Sequence, residues 1–193
     1  MGSNGGGLCT DATTTIRNST FSANQADFGG NIMYDSGDLT ISFSTIVNGR
    51  AHSGGAIYSD PTMGMCGIVL GSTVITNNSP IVTNKDPLGY AGLLCLVSSG
   101  HNLIDNAAGT YDWTTTDQIG VSPHLKALRN NGGTTLTYAL QADSPAIGTG
   151  GSTCPITDQR GFVRKHPCDA GAYEMSSTVY APTVTPDAIE NSF

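Results

Sequence analysis

Apolar residues along this chain come in short groups, such as Leu39-Thr40-Ile41-Ser42-Phe43 and Ile68-Val69-Leu70, each broken after a few positions by Gly, Asn, Asp or Ser. Groups of that length bounded by turn residues read as strands. They recur. The phrases Gly5-Gly6-Gly7-Leu8-Cys9, Gly29-Gly30-Asn31-Ile32-Met33-Tyr34 and Gly54-Gly55-Ala56-Ile57-Tyr58 return about every 25 residues, a period that marks a solenoid. Between them runs a second phrase, Ile16-Arg17-Asn18-Ser19-Thr20-Phe21, then Ile41 to Ile46, then Val69 to Val74. Matched on Ser19, Ser44 and Ser72, its steps are 25 and then 28 residues.

A turn of about 25 residues holds roughly three short strands and three corners, and none of those strands buries an apolar face until the next turn stacks on it. The expected fold is therefore all-β, a parallel β-helix. Leu8/Ile32/Ile57, Ile16/Ile41/Val69 and Phe21/Ile46/Val74 are expected as inward ladders at the roughly 4.8 Å strand spacing. A leucine-rich repeat would need a shorter period and a dense leucine pattern. The glycine pairs suit a corner with positive φ or a close approach of coils, and Asn24, Asn48 and Asn77 are placed to hydrogen-bond along the stack.

The period fades after Val97. Residues 1–104 read as β-helix coils and 105–175 as an irregular C-terminal cap of the same domain, since a solenoid needs its last coil covered. Within that region a short helical turn is expected over Pro123 to Asn130, and strands at Thr134 to Leu140 and Ala172 to Glu174. Residues 176–193 are Ser/Thr/Pro-rich and read as an extended tail.

Composition narrows the function. Only 12% of residues are charged and the net charge is −7, which suits turn-rich β-structure and argues against a nucleic-acid partner. No run is long and apolar enough for a transmembrane segment. Five cysteines, with neither a CxxC pair nor a Cys/His constellation, point to disulfides and so to a secreted protein, extracellular or at the cell surface. The first residues lack the basic and apolar regions of a secretory signal, and Met1 falls just before a repeat phrase, which reads as a fragment or a processed product with room for a signal peptide upstream.

The string Asn131-Gly132-Gly133-Thr134-Thr135-Leu136-Thr137-Tyr138-Ala139-Leu140, then Ser144-Pro145-Ala146-Ile147-Gly148, Asp158-Gln159-Arg160-Gly161 and Cys168-Asp169-Ala170-Gly171-Ala172-Tyr173-Glu174 resembles the C-terminal signature of the choice-of-anchor Q domain proteins. Ser99-Gly100-His101-Asn102-Leu103-Ile104 and the Gly-Gly-x-Ile-Tyr phrases fit the same family. The resemblance covers nearly the whole chain and implies a secreted, right-handed parallel β-helix from large bacterial or archaeal surface proteins, usually followed by an anchor. It implies no activity. The chain departs from the pattern at Gly148, where Asp is frequent, and at Thr134, where Pro is common, and it shows no evident anchor after Glu174.

Candidate residues divide by chemistry. Cys154 and Cys168 bracket the Asp-Gln-Arg-Gly motif and are expected to bridge. Cys66 and Cys95, 29 residues apart, are close to one coil step and form a plausible second bridge. Cys9 is left over, either as a small buried residue or as an intermolecular thiol. Asp11, Asp35 and Asp60 each follow a matched apolar position by three residues and should stack in a column. Either a Ca²⁺ ion neutralises that column or the side chains cap turns on an exposed corner. Arg50 and His52, with Asp27 or Asp60, are too thin a set for an active site. His101, Asp158, Arg160, Asp169 and Glu174 are expected to hold irregular cap backbone together. The sequons at Asn18 and Asn77 match by composition, and Thr13 and Thr15 start an ice-binding row that the next coils do not continue.

Two functional readings follow. One is a non-enzymatic structural or adhesive module with no cofactor, its partners being copies of itself, stacked head to tail into filaments through a first coil without a cap. The other is a rod that binds or degrades surface polysaccharide as a lyase or hydrolase, although Trp113, the single tryptophan, lies outside the repeated coils where a stacking platform would be expected.

Overall fold

The computed structural model describes residues 4–59, 67–80, 96–106 and 113–175. Three parallel sheets wind around one core. The first joins β1 (Leu8–Thr10), β4 (Ile32–Tyr34) and β8 (Ile57–Ser59). The second joins β2 (Thr14–Arg17), β5 (Leu39–Ser42), β9 (Ile68–Gly71) and β12 (Leu96–Ser98). The third joins β3 (Thr20–Ser22), β6 (Thr45–Val47), β10 (Val74–Thr76), β13 (Leu103–Ile104) and β14 (Gln118–Ile119). A short pair, β7 (Arg50–Ala51) with β11 (Ser79–Pro80), extends the corner after the third sheet. This is a parallel β-helix.

Leu8, Ile32 and Ile57 stack in register as expected. The other two ladders differ by one residue from the third coil onward. Ile41 pairs with Leu70, not Val69, and Ile46 with Ile75, not Val74. The step there is 29, because the aligned corner residues are Asn18, Phe43 and Ser72. All three have positive φ, at 47°, 45° and 50°. Ser44 therefore stands over Thr73. Val69 takes the outward row of Thr15 and Thr40, above Val97. The correct inward ladders, Ile41/Leu70 and Ile46/Ile75/Ile104, are almost completely buried.

Both glycines of each repeated pair have a definite task. Gly5, Gly29 and Gly54 have φ of +64°, +66° and +66°, which a side chain would strain. Gly6 and Gly30 touch the next coil, where a Cβ on Gly30 would lie 2.6 Å from both the Arg50 nitrogen and the Gly55 oxygen. Inside the same corner a buried asparagine chain crosses the coils. Asn24 Nδ2 donates to Asn31 Oδ1 (2.8 Å), and Asn31 Nδ2 donates to Asn78 Oδ1 (2.9 Å), which also accepts from Gly49 N–H. Asn78, not Asn77, carries this ladder. Asn48 and Asn77 instead occupy positive-φ corners, at 57° and 54°.

The C-terminal region does more than follow the last coil. β14 adds a rung to the third sheet, and the chain then returns along the flank of the stack. β15 (Leu125–Arg129) and β16 (Thr137–Leu140) form an antiparallel hairpin, so the expected helical turn over Pro123 to Asn130 is strand. Ala172 to Glu174 form no strand. The flank layer meets the first coil through Asn18 and Ser22, the second through Thr45 and Asn48, and the third through Ser72. Val74 and Leu103, on the outer face of the third sheet, pack with Leu140, Ala146 and Ala170 in a second apolar cluster. That sheet is buried on both faces, which is why Val74-Ile75 and Leu103-Ile104 are apolar without alternation.

Candidate functional site

Charged residues gather where the flank layer closes on the corner of the coils. Arg160 lies between two aromatic faces, 3.7 Å from the Tyr173 ring centre and 4.3 Å from that of Phe162. Its NH2 donates to Asp158 Oδ2 at 2.7 Å and to the Glu174 carbonyl. Asp158 Oδ1 accepts from the N–H groups of Arg160 and Phe162, and Oδ2 from that of Glu174. Asp169 accepts from Gly148 N–H and Met175 N–H. The Glu174 carboxylate accepts from Lys165 N–H, Asp169 N–H and, at 3.2 Å, Arg164 NH1. Each carboxylate thus holds main chain from two or more loops.

Arg164 is the centre of this lock. Its side chain is fully buried, it donates to the Asp169 and Gly171 carbonyls and to Asn18 Oδ1 on the first coil, and its guanidinium covers the Phe43 ring of the second. Burial lowers the Arg164 pKa against the pull of Glu174, Asp158 and Asp169. Burial likewise raises those of Asp169 and Glu174, despite the main-chain N–H groups that favour their charged forms. These groups are therefore placed at an electrostatic cost that their hydrogen bonds offset. Sequence reading selected Asp158, Arg160, Asp169 and Glu174 but not Arg164, whose partners lie in the first two coils, far away along the chain.

Cys154 and Cys168 are joined in a disulfide with a Cα separation of 6.4 Å. The loop before it returns to the coils through two contacts: Ser72 Oγ donates to the Gly150 carbonyl (2.9 Å), and His101 Nδ1 lies 2.9 Å from the Thr149 carbonyl. Between this loop and the outer face of the second sheet runs a groove of about 350 Å³. Thr40, Ser42, Val69, Gly71 and Ser99 form its floor, His101 and Ser72 stand at the corner, and Gly150 to Thr153 make the wall.

The remaining candidates lie apart from this groove. Cys9 is a free thiol exposed on β1, in an outward row with Met33 and Tyr58. Asp35 lies directly over Asp11, since Thr10 pairs with Tyr34 and Asp35 N–H donates to the Thr10 carbonyl. Asp60, Cys66 and Cys95 lie outside the described residues. Among the described residues no three His, Cys, Asp or Glu side chains gather closely enough to hold a metal ion. His52 Nδ1 pairs with Asp27 Oδ1 at 3.1 Å on the surface. Trp113 packs on the core of the coils. No family model, curated protein or solved structure matches the chain.

Proposed function

We propose that this chain is a non-enzymatic extracellular structural or adhesive β-helix module. The observation that carries the reading is the use to which its charged cluster is put. Asp158, Asp169 and Glu174 direct every carboxylate oxygen at main-chain donors, which fixes loops to coils and leaves those oxygens committed to structure, not to proton transfer. The Cys154–Cys168 bridge supports a secreted setting, in line with the resemblance to choice-of-anchor Q surface proteins. Self-association is the second part of the proposal. Parallel coils pair edge to edge through backbone hydrogen bonds within the stack, and a coil from a second copy would extend that pairing in the same way. Negative-stain imaging, together with a screen of neutral and acidic polysaccharides for reducing ends or unsaturated products, tests both parts. Rods or filaments without product release are expected, whereas turnover of any polysaccharide would overturn the non-enzymatic reading.

A further inference from the structure

We propose that the groove between the second sheet and the disulfide-braced loop binds a neutral oligosaccharide. The inference rests on the adhesive reading and names what that adhesion recognises.

Hydroxyl chemistry dominates the site. The Ser72 hydroxyl is spent on the Gly150 carbonyl, but among the described residues the side chains of Thr40, Ser42, Ser99 and Thr153 make no hydrogen bond, and all four line the groove. Each is both a donor and an acceptor. His101 adds a directed acceptor. A carbonyl only accepts, so the contact with Thr149 places a proton on Nδ1 and leaves Nε2 of the neutral ring with a lone pair. Gly151 makes room for that ring, because a Cβ there would lie 3.0 Å from His101 Cδ2 and 3.1 Å from Nε2.

The spacing suits a polymer of small units. Ser42 and Gly71 pair across adjacent strands, and Ser99 follows Ser98, the partner of Leu70. The floor therefore repeats at roughly 4.8 Å, close to the length of one pyranose unit along an extended glycan. Val69 contributes an apolar patch for a C–H face of the sugar. Charge decides between glycan classes. No Lys or Arg lines the groove, the net charge is −7, and the nearest cation in this row, Arg17, stands one coil beyond Ser42. An anionic glycan would meet repulsion without a clamp.

The test is calorimetric titration of the full chain with hexasaccharides of glucose, xylose and mannose, and with hexagalacturonate as the acidic arm, scored also for product release. Saturable binding of at least one neutral hexamer is expected, with hexagalacturonate weaker. Ser99→Tyr on the floor and Thr153→Trp on the wall should each weaken binding by about tenfold or more. Lys126→Tyr, exposed on the flank hairpin and away from the groove, should leave it unchanged. Either groove variant suffices if the other fails to fold. No saturable binding of any neutral hexamer, tighter binding of hexagalacturonate, or equal affinity in the groove variants and wild type would overturn the groove. Product release abolished by Ser99→Tyr would keep the groove and overturn the non-enzymatic reading, so the two can fail separately.

Discussion

At the scale of single residues, stability depends on groups whose charge is expensive to bury. Asp169 is 3% exposed and its pKa is raised by burial, although Gly148 N–H, Met175 N–H and the Arg164 charge oppose that shift. A carboxylate with a raised folded-state pKa binds its proton more tightly folded than unfolded, so its contribution to stability increases as pH falls through the folded value and levels off below the unfolded one, near 4. Asp169→Asn removes this component and adds a constant loss, because one amide N–H must face a main-chain donor. Urea unfolding from pH 7 to about pH 4 should therefore show wild type gaining stability relative to the variant as pH falls. A difference that is flat, or that shrinks on acidification, would contradict the raised pKa.

At the scale of strands and corners, the close approach of coils at the second glycine of each pair is the feature least tolerant of change. Around Gly30, the atoms that a Cβ would meet belong to backbone on the next coil, so relief requires the coils themselves to move apart. Gly30→Ala should cost several kcal/mol, outweighing the roughly 1 kcal/mol by which propensity favours Ala over Gly, read as a fall in thermal midpoint or as insoluble expression. An unchanged midpoint would mean that the stack is looser than its contacts indicate. The glycine pairs and the first ladder were legible because each coil repeats them at nearly constant spacing. The shift at Leu70 and Ile75 was not, because Ile68-Val69-Leu70 is apolar throughout and so supports either alternation, while Ser44-Thr45 and Ser72-Thr73 match as letters at the wrong step. Only the positive-φ corner shared by Asn18, Phe43 and Ser72 fixes the register. The strand over Leu125–Arg129 escaped for another reason: its partner is the Thr137–Leu140 hairpin arm, and tertiary pairing overrides local preference. Arg164 escaped because nothing local in the sequence reports a contact with Asn18, 146 positions away.

At the scale of the whole molecule, coils and flank layer share one structure. Arg164 alone joins the first coil, the second coil and the loop at Glu174, and the second apolar cluster draws Val74 and Leu103 of the coils together with Leu140, Ala146 and Ala170 of the flank. A layer tied in this way should unfold with the coils and not ahead of them. The Cys154–Cys168 bridge offers the means to check, because it closes a loop within the flank that contains Asp158, Arg160 and Arg164. In the chain-entropy account, opening a loop of that size costs about 3 kcal/mol. Replacing both cysteines with serine should therefore lower the stability of the whole molecule by about that amount, in one transition seen alike by far-ultraviolet circular dichroism and by the fluorescence of Trp113, which packs on the coil core. If the flank were an independent cap, the variant would instead unfold in two steps. The early step would leave Trp113 fluorescence at its native value, since that residue reports on the coils, and the later midpoint would equal that of the wild type.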